Sequence, residues 1–206
     1  AEENKIVLDT FYKVEGAYKK DVVVKGFLEL KDKWQKIESS YEQAYVVDNP
    51  KVADLSMIFA YMKMLDPRSV VREGEQQQAS GTGSLLDDAK NTYNKLLGTG
   101  SLTDNQRKSF RNLAADLYRR KGEEINNLNT KQAQPIATKF GVDFNLYKTE
   151  YKTPVLGNFI TLPKLDDIKN KSVEELNVII QSGATNLLSN TKILKAITKE
   201  LADRAK

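Results

Sequence analysis

Only a few kinds of side-chain chemistry are open to this chain, because its 206 residues include neither histidine nor cysteine. The sequence therefore excludes a cysteine nucleophile, a Ser-His-Asp triad, an imidazole base and the usual kinds of zinc site. The most suggestive carboxylates are Glu73 and Glu75. Two positions apart on a helix, they point in different directions, which does not suit joint attack on one glycosidic bond. We predict no catalytic residue, no metal ligand and no cofactor.

A short glycine-rich phrase occurs twice, as GTGSLLD at residues 81–87 and as GTGSLTD at residues 98–104. Glycines before a helix can cradle a phosphate with their backbone amides. Neither copy has the Lys-Ser or Lys-Thr pair of a Walker loop, and the dinucleotide fingerprint would need a strand before it. We interpret both copies as turns that begin helices, the second with Thr103 and Gln106 as a capping box.

Basic residues are the other group with binding chemistry. Lys and Arg outnumber Asp and Glu by 32 to 28, a net charge of +4, which is a mild excess for a nucleic-acid-binding protein. The densest cluster lies on the longest predicted helix, and further basic residues follow near the C-terminus. The first set is Arg107, Lys108, Arg111, Arg119, Arg120 and Lys121, and the second is Lys192, Lys195, Lys199, Arg204 and Lys206.

Two interpretations of the basic cluster remain open. Contacts to phosphates would be independent of sequence and steeply weakened by salt. The alternative is an ordinary solvated helix surface, which Arg119 and Arg120 favour because neighbouring residues point about 100° apart on an ideal helix.

The elements that must position these residues are helices. Residues 23–46 carry a narrow apolar seam whose members are spaced alternately by four and three. Such a seam packs inside its own bundle, which we favour, or forms a contact between chains. The seam is Val23, Phe27, Leu30, Trp34, Ile37, Tyr41 and Ala44.

Apolar periodicity and capping signals predict the other helices. Residues 1–20 indicate an arm or a short frayed helix, and further helices cover residues 50–65, 85–97 and 104–139. Pro135 should kink or split the last of these near Ala133, and Gly141 suits its C-terminal cap. A helical pair follows residue 168, beginning at a second capping box of Ser172 and Glu175.

Residues 142–167 contain prolines and scattered aromatic residues and lack helical periodicity. A loop of this length is unusual inside a compact domain, so we expect an extended strap on the bundle or on a neighbouring subunit. The possible partner interface is Phe27, Trp34, Tyr41, Tyr147, Tyr151 and Phe159.

The sequence thus predicts an all-α protein, an irregular multi-helix bundle with a long extended strap and a small C-terminal helical module. The predicted boundaries are residues 1–141 for the bundle and its N-terminal arm, 142–167 for the strap and 168–206 for the helical pair. A 40% hydrophobic composition supports a core. No apolar run approaches the roughly 18–20 residues of a transmembrane segment, so none is expected.

The most specific phrase of the chain is AYMKMLDPRSVVREGE at residues 60–75. With it, residues 52–141 resemble a helical segment that recurs in virion proteins of tailed bacteriophages. Those proteins include internal head proteins, DNA-ejection proteins and large proteins that also carry peptidoglycan-cleaving domains. One position departs from the pattern, because Arg68 stands where the family prefers Gly. The resemblance rests on residues 64–67, 69–75 and 91–97, and on Leu102, Thr103, Gln106, Arg107, Phe110, Phe140 and Gly141.

The resemblance implies a non-enzymatic structural or ejection role in the virion and transfers no catalytic residue. The expected partners are other virion proteins and further copies of the same chain. Two alternatives remain open: a virion protein that contacts packaged DNA non-specifically, and the helical part of a peptidoglycan-degrading virion protein.

Overall fold

The computed structural model describes residues 2–66, 83–98, 100–158 and 162–205, and in these ranges the chain forms helices without any β-strand. The predicted all-α fold is therefore confirmed. The α-helices are α1 (Glu2–Lys20), α2 (Val22–Ala44), α3 (Lys51–Leu65), α4 (Gly83–Gly98), α5 (Asp104–Leu128), α6 (Gln134–Lys139), α7 (Val173–Gln181), α8 (Thr185–Ser189) and α9 (Thr191–Arg204).

Part of the resemblance to phage proteins lies outside the described residues. This is true of Pro67 and the SVVREGE phrase, of Glu73 and Glu75, and of the start of the first glycine-rich copy. On the described side of the gap, α3 ends where the Asp66 amide donates to the Met62 carbonyl at 2.9 Å.

The N-terminal segment differs from the predicted arm, because α1 is a helix of 19 residues. Phe11, Val14 and Tyr18 are spaced by three and four and pack against the main core. This spacing places them on one face of a helix, which explains why the helix continues through Gly16. Residues 5–9 lie beyond the core and are exposed.

The apolar seam of α2 packs within its own chain, as favoured above. The helix begins at Asp21, whose carboxylate accepts from the Val23 amide at 2.7 Å, and it lies against α3 and α5. Val24, Phe27, Trp34, Ile37, Tyr41 and Ala44 are buried along it.

The long helix predicted over residues 104–139 divides near the predicted place. It begins with the Thr103–Gln106 capping box and changes into a π-helical segment at Asn129–Ala133, just before Pro135. A proline lacks the amide that an α-helix needs, and a π-turn is one way to absorb the break. Gly141, at φ +65°, terminates α6. Its amide bonds to the Thr138 carbonyl, and the next amide bonds to the Ala137 carbonyl, as in a Schellman motif.

The chain after α6 returns to the bundle. A 3-10 turn covers Phe144–Leu146 and another covers Leu165–Asn170, and residues 148–158 between them carry no helix. The ring of Tyr151 lies over Gly122 of α5, where an added Cβ would be only 2.2 Å from the ring. Glycine is thus required in this helix by the close approach of a side chain rather than by its backbone angles.

Two separate groups of buried apolar side chains organise the chain. The larger group draws on α1 to α6 and extends to Phe144 and Tyr147. The smaller group holds Ile168, Leu176 and Ile197 with their neighbours. The C-terminal part contains α7, α8 and α9 instead of the predicted pair, and its Ser172–Glu175 capping box is present. The exact division at residues 141 and 167 stays a prediction.

We expect Gly122→Ala to lower the free energy of unfolding by about 1–3 kcal/mol, because the new methyl group must displace an enclosed tyrosine ring. The matched control is Gly26→Ala in α2, where an added Cβ meets nothing within 4 Å. That control should gain about 0.5–1 kcal/mol from helix propensity. Urea unfolding of the two variants measures both effects, and equal stabilisation by both would contradict the close contact.

Candidate functional site

Arg107 of α5 is enclosed by groups from α3, from α5 itself and from the end of α2. Its Nε donates to Asp54 Oδ1 at 2.7 Å and its Nη2 donates to Asp54 Oδ2 at 3.0 Å. The remaining nitrogen, Nη1, donates to Asp104 at 3.0 Å. The guanidinium also lies 5.6 Å from the centre of the Tyr45 ring, within the range of a cation–π contact. Asp54 is fully buried and accepts the Leu102 amide as well, at 2.8 Å.

Arg111 lies one turn later on α5 and is enclosed in a similar way. It pairs with both oxygens of Glu38, at 2.5 and 2.9 Å, and its guanidinium lies 4.5 Å from the centre of the Tyr41 ring. Its third nitrogen donates to the Gly157 carbonyl at 2.7 Å. The two arginines are four residues apart on α5, and the two tyrosines, Tyr41 on α2 and Tyr45 just past its end, are four apart in the opposite order. The two helices are therefore held antiparallel and in register.

The prediction that Arg107 and Arg111 contact phosphates is wrong for this structure. They are only 5% and 4% exposed, and a bidentate carboxylate occupies each guanidinium. The hydrogen bonds that Arg107 donates to Asp54 raise the pKa of Arg107 above its ordinary value despite burial. Burial lowers the pKa of Arg111, but the bonds and charge of Glu38 outweigh it and raise that pKa overall. Both side chains remain cationic.

A signal for this burial was present in the sequence. The buried stripe of α5 continues from the two arginines with the same spacing of three and four. Only the charge of Arg107 and Arg111 concealed that they are the first members of the stripe. The stripe is Arg107, Arg111, Ala114, Ala115, Tyr118, Gly122 and Ile125.

The other four members of the basic cluster remain on the surface of α5. Arg119 and Arg120 are exposed, and Lys108 and Lys121 are half-buried. Arg119 pairs with Asp116 at 2.9 Å and Lys121 pairs with Glu124 at 2.5 Å. They point to different sides of the helix and form no single stripe.

The basic residues near the C-terminus divide into two groups. Lys192, Lys195 and Lys199 are exposed, and their spacing places them along one side of α9. Arg204 instead donates to the carbonyls of Lys169 and Lys171, both at 2.7 Å. It thereby ties the end of α9 to the preceding 3-10 helix. Lys206 lies outside the described residues.

The aromatic residues predicted as a partner interface pack inside the chain. Phe27 and Trp34 both stack on Tyr118 of α5, with ring centres 5.6 Å apart in each case. The Tyr151 ring meets Phe27 and Tyr118 edge-on. The interface prediction is therefore wrong for Phe27, Trp34 and Tyr151, because all three rings pack against Tyr118 of α5. It is wrong for Tyr41 too, which lies under Arg111, whereas Phe159 lies outside the described residues.

Tyr147, the remaining member of that prediction, is also buried. Its ring makes edge contacts with Phe11, Tyr18 and Phe144. Burial raises the pKa of its hydroxyl above the ordinary value. Phe144, Tyr147 and Tyr151 thus anchor the chain after α6 to its own helices.

A ring of hydrogen bonds holds the same region. The Tyr18 hydroxyl donates to the Asn129 side-chain oxygen at 2.8 Å and accepts the Thr149 amide at 2.9 Å. The Asn129 side-chain nitrogen donates to the Thr149 carbonyl at 2.9 Å. Three parts of the chain meet here: α1, the start of the π-helical segment and the segment after the 3-10 turn.

Two surface cavities flank this ring. One, of about 550 Å³, is polar, and Asn126, Gln134, Asn145, Lys148 and Glu150 contribute to its lining. The other, of about 540 Å³, is an apolar groove between α1 and the end of the α5–α6 region. We name it the α1 groove; its lining includes Val14, Ala17, Leu128, Ala133, Ile136 and Phe140.

Within the described ranges, no group of three or more Asp and Glu side chains is placed to hold a metal ion. None of the described helices combines the length and apolar character needed to cross a membrane.

Comparisons of the chain with protein-family models, with curated proteins and with solved structures find no match.

Removing one member of the Asp54–Arg107 pair should be far worse than removing both. We expect Arg107→Met to lose about 3–5 kcal/mol of unfolding free energy, because it strands a buried carboxylate. The double variant Asp54→Leu/Arg107→Met should lose less than either single variant, although the Leu102 amide is left without its acceptor. Urea unfolding of all four proteins measures the coupling, and additive losses would contradict a shared buried pair.

Removal of the tyrosine hydroxyl should have opposite effects on stability at Tyr18 and at Tyr61. The Tyr61 hydroxyl is buried without a hydrogen-bond partner among the described residues, so Tyr61→Phe should preserve or slightly raise stability. Tyr18→Phe leaves two polar groups unsatisfied and should lose about 1–3 kcal/mol.

The pH dependence provides a second measurement on Tyr61. Burial raises the pKa of the Tyr61 hydroxyl in the folded state. Titration of this group therefore leaves the free energy of unfolding unchanged below its unfolded pKa of about 10. Above that pH the free energy of unfolding falls, because the unfolded chain loses the proton first. Tyr61→Phe should therefore reduce the loss of stability above pH 10. An unchanged alkaline profile would contradict burial of this hydroxyl.

Proposed function

We propose that this chain is a non-enzymatic structural subunit of a tailed-bacteriophage particle, internal, ejection-related or tail-associated. In this proposal it acts by packing against other virion proteins and against copies of itself. The sequence resemblance over residues 52–141 supports the assignment to virion proteins. One structural observation carries the non-enzymatic part: among the described residues, the most enclosed charged groups, Asp54, Arg107 and Arg111, are used to join segments of the chain.

The chemistry of these groups favours a structural role. A catalytic carboxylate must reach a substrate with at least one oxygen. Asp54 directs both oxygens to the Arg107 guanidinium, and Glu38 directs both to Arg111. Neither pair leaves a carboxylate facing the polar cavity, whose lining includes two acidic residues of its own, Asp143 and Glu150. Asp143 accepts hydrogen bonds from the backbone and side chain of Asn145 at 2.9 and 3.0 Å, and Glu150 pairs with Lys148 at 3.2 Å.

Exposed apolar side chains on α1 favour association with other chains. Ile6, Val7, Leu8 and Tyr12 are each more than half exposed, and they lie on adjacent turns of one helix, two on each side of it. Exposed apolar groups on neighbouring turns are typical of surfaces that other proteins cover.

A second candidate is non-specific contact with packaged DNA. The observation that favours it is the exposed row of Lys192, Lys195 and Lys199 on α9, which has the linear form needed to follow a phosphate backbone. The basic cluster on α5 contributes less to this candidate, since its two arginines nearest the N-terminal end are buried.

The virion assignment predicts that the chain is a constituent of purified particles. We expect mass spectrometry of gradient-purified particles, produced from the genome that encodes the chain, to find it at a fixed ratio to the major capsid protein. A zymogram on peptidoglycan should show no clearing. Normal particles that lack the chain would contradict the assignment, and a clearing band would favour the peptidoglycan alternative.

The DNA candidate predicts a salt-dependent affinity that the α9 lysines control. If all three contact phosphates, replacing Lys192, Lys195 and Lys199 by Gln should reduce the slope of log K against log salt by about 2.7 on duplex DNA. The matched control removes the same charge from the exposed lysines Lys25, Lys36 and Lys95. Fluorescence anisotropy that finds equal slopes for the two triple variants would contradict a binding row on α9.

A further inference from the structure

The N-terminal half of α1 carries apolar side chains that nothing within the described residues covers. Ile6 is 62% exposed and Val7 is 66% exposed. Two turns later the same helix forms one wall of the α1 groove with Val14 and Ala17. The opposite wall includes Ile136, which is 49% exposed. An apolar projection and an apolar groove thus occur on one helix.

The projection and the groove lie on the same side of α1. At 100° per residue, Ile6, Val7, Thr10, Val14 and Ala17 fall within an arc of about 100°. The distance along the axis from the projection to the middle of the groove is about 13 Å. Leu8 and Tyr12 are also exposed, but they point to the other side of the helix.

This arrangement is self-complementary when two copies meet antiparallel. We propose that α1 pairs with α1 of a second copy about a two-fold axis near Thr10 and Phe11, so that Ile6 and Val7 of each copy enter the α1 groove of the other. A two-fold contact of this kind fills both grooves at once and leaves no open end for further growth. The inference deepens the proposed function by naming one partner, and the virion assignment is tested separately.

Charge complementarity selects the antiparallel direction. Asp9 and Lys13 border this side of α1, and neither makes an ion pair with any residue in the described ranges. An axis near residue 11 places Asp9 of each copy opposite Lys13 of the other, which gives two cross-copy pairs. Parallel helices would place this edge of each copy opposite the other edge of its partner, so neither cross-copy pair would form.

Sedimentation velocity over protein concentrations from about 1 to about 200 µM tests the pairing. We expect the full chain to form a concentration-dependent dimer. Ile6→Ser/Val7→Ser should weaken that dimer at least about tenfold. The matched control Leu8→Ser/Tyr12→Ser removes apolar surface from the other side of the same helix and should leave the dissociation constant unchanged. A wild-type monomer throughout the range, or equal weakening by the two variants, would overturn the inference.

Charge exchange and crosslinking test the direction of the helices. Asp9→Lys should weaken the dimer, and Asp9→Lys/Lys13→Asp should restore it. Because the chain has no cysteine, a single Thr10→Cys substitution near the axis should give a disulfide-linked dimer, whereas Lys20→Cys should not. Efficient crosslinking only at Lys20→Cys, or no rescue by the charge exchange, would contradict antiparallel pairing. A dimer that behaves as expected but is absent from particles would leave the pairing valid and refute the virion assignment.

Discussion

The fold depends on the enclosure of two guanidinium groups between helices. A buried charge is costly unless it is paired and hydrogen-bonded, so Arg107 requires Asp54 from α3, and Arg111 requires Glu38 from α2. Each pair forms only if the helices that carry it are at one separation and one register. The adjacent tyrosine rings of α2 add the same requirement, since each must lie beneath its arginine. The resulting network specifies the arrangement of α2, α3 and α5 more sharply than apolar contacts alone would.

The segment after α6 is fixed by contacts of a different kind. Tyr151 occupies the space that Gly122 leaves open, Tyr18 and Asn129 bind the backbone at Thr149, and Arg111 binds the Gly157 carbonyl. One arginine thus joins α2, α5 and a non-helical segment. These contacts hold the segment against its own chain, and the N-terminal half of α1 is an apolar surface that remains exposed.

Apolar periodicity and capping chemistry were enough to predict the helical class, both capping boxes and the break before Pro135, because these are local properties. The sequence reasoning failed where burial depended on partners distant in the chain. Arg107 and Arg111 follow the core spacing of α5, but their charge suggests solvent until Asp54 and Glu38 are seen beside them. Tyr147 and Tyr151 could equally have anchored a neighbouring subunit. The opening at Gly122 and the hydrogen bonds from Tyr18, Asn129 and Arg111 direct their segment inward, and these partners are distant in the sequence.

The enclosed arginines are structural parts of the helical core rather than binding groups. The most direct test is the exchange of their Nε protons with solvent, observed by NMR at neutral pH. Nε protons that are buried and bonded to a carboxylate exchange slowly, because local opening must precede exchange. The account predicts persistent Nε–H signals for Arg107 and Arg111 and fast exchange for the exposed Arg120. Fast exchange at all three arginines would contradict it.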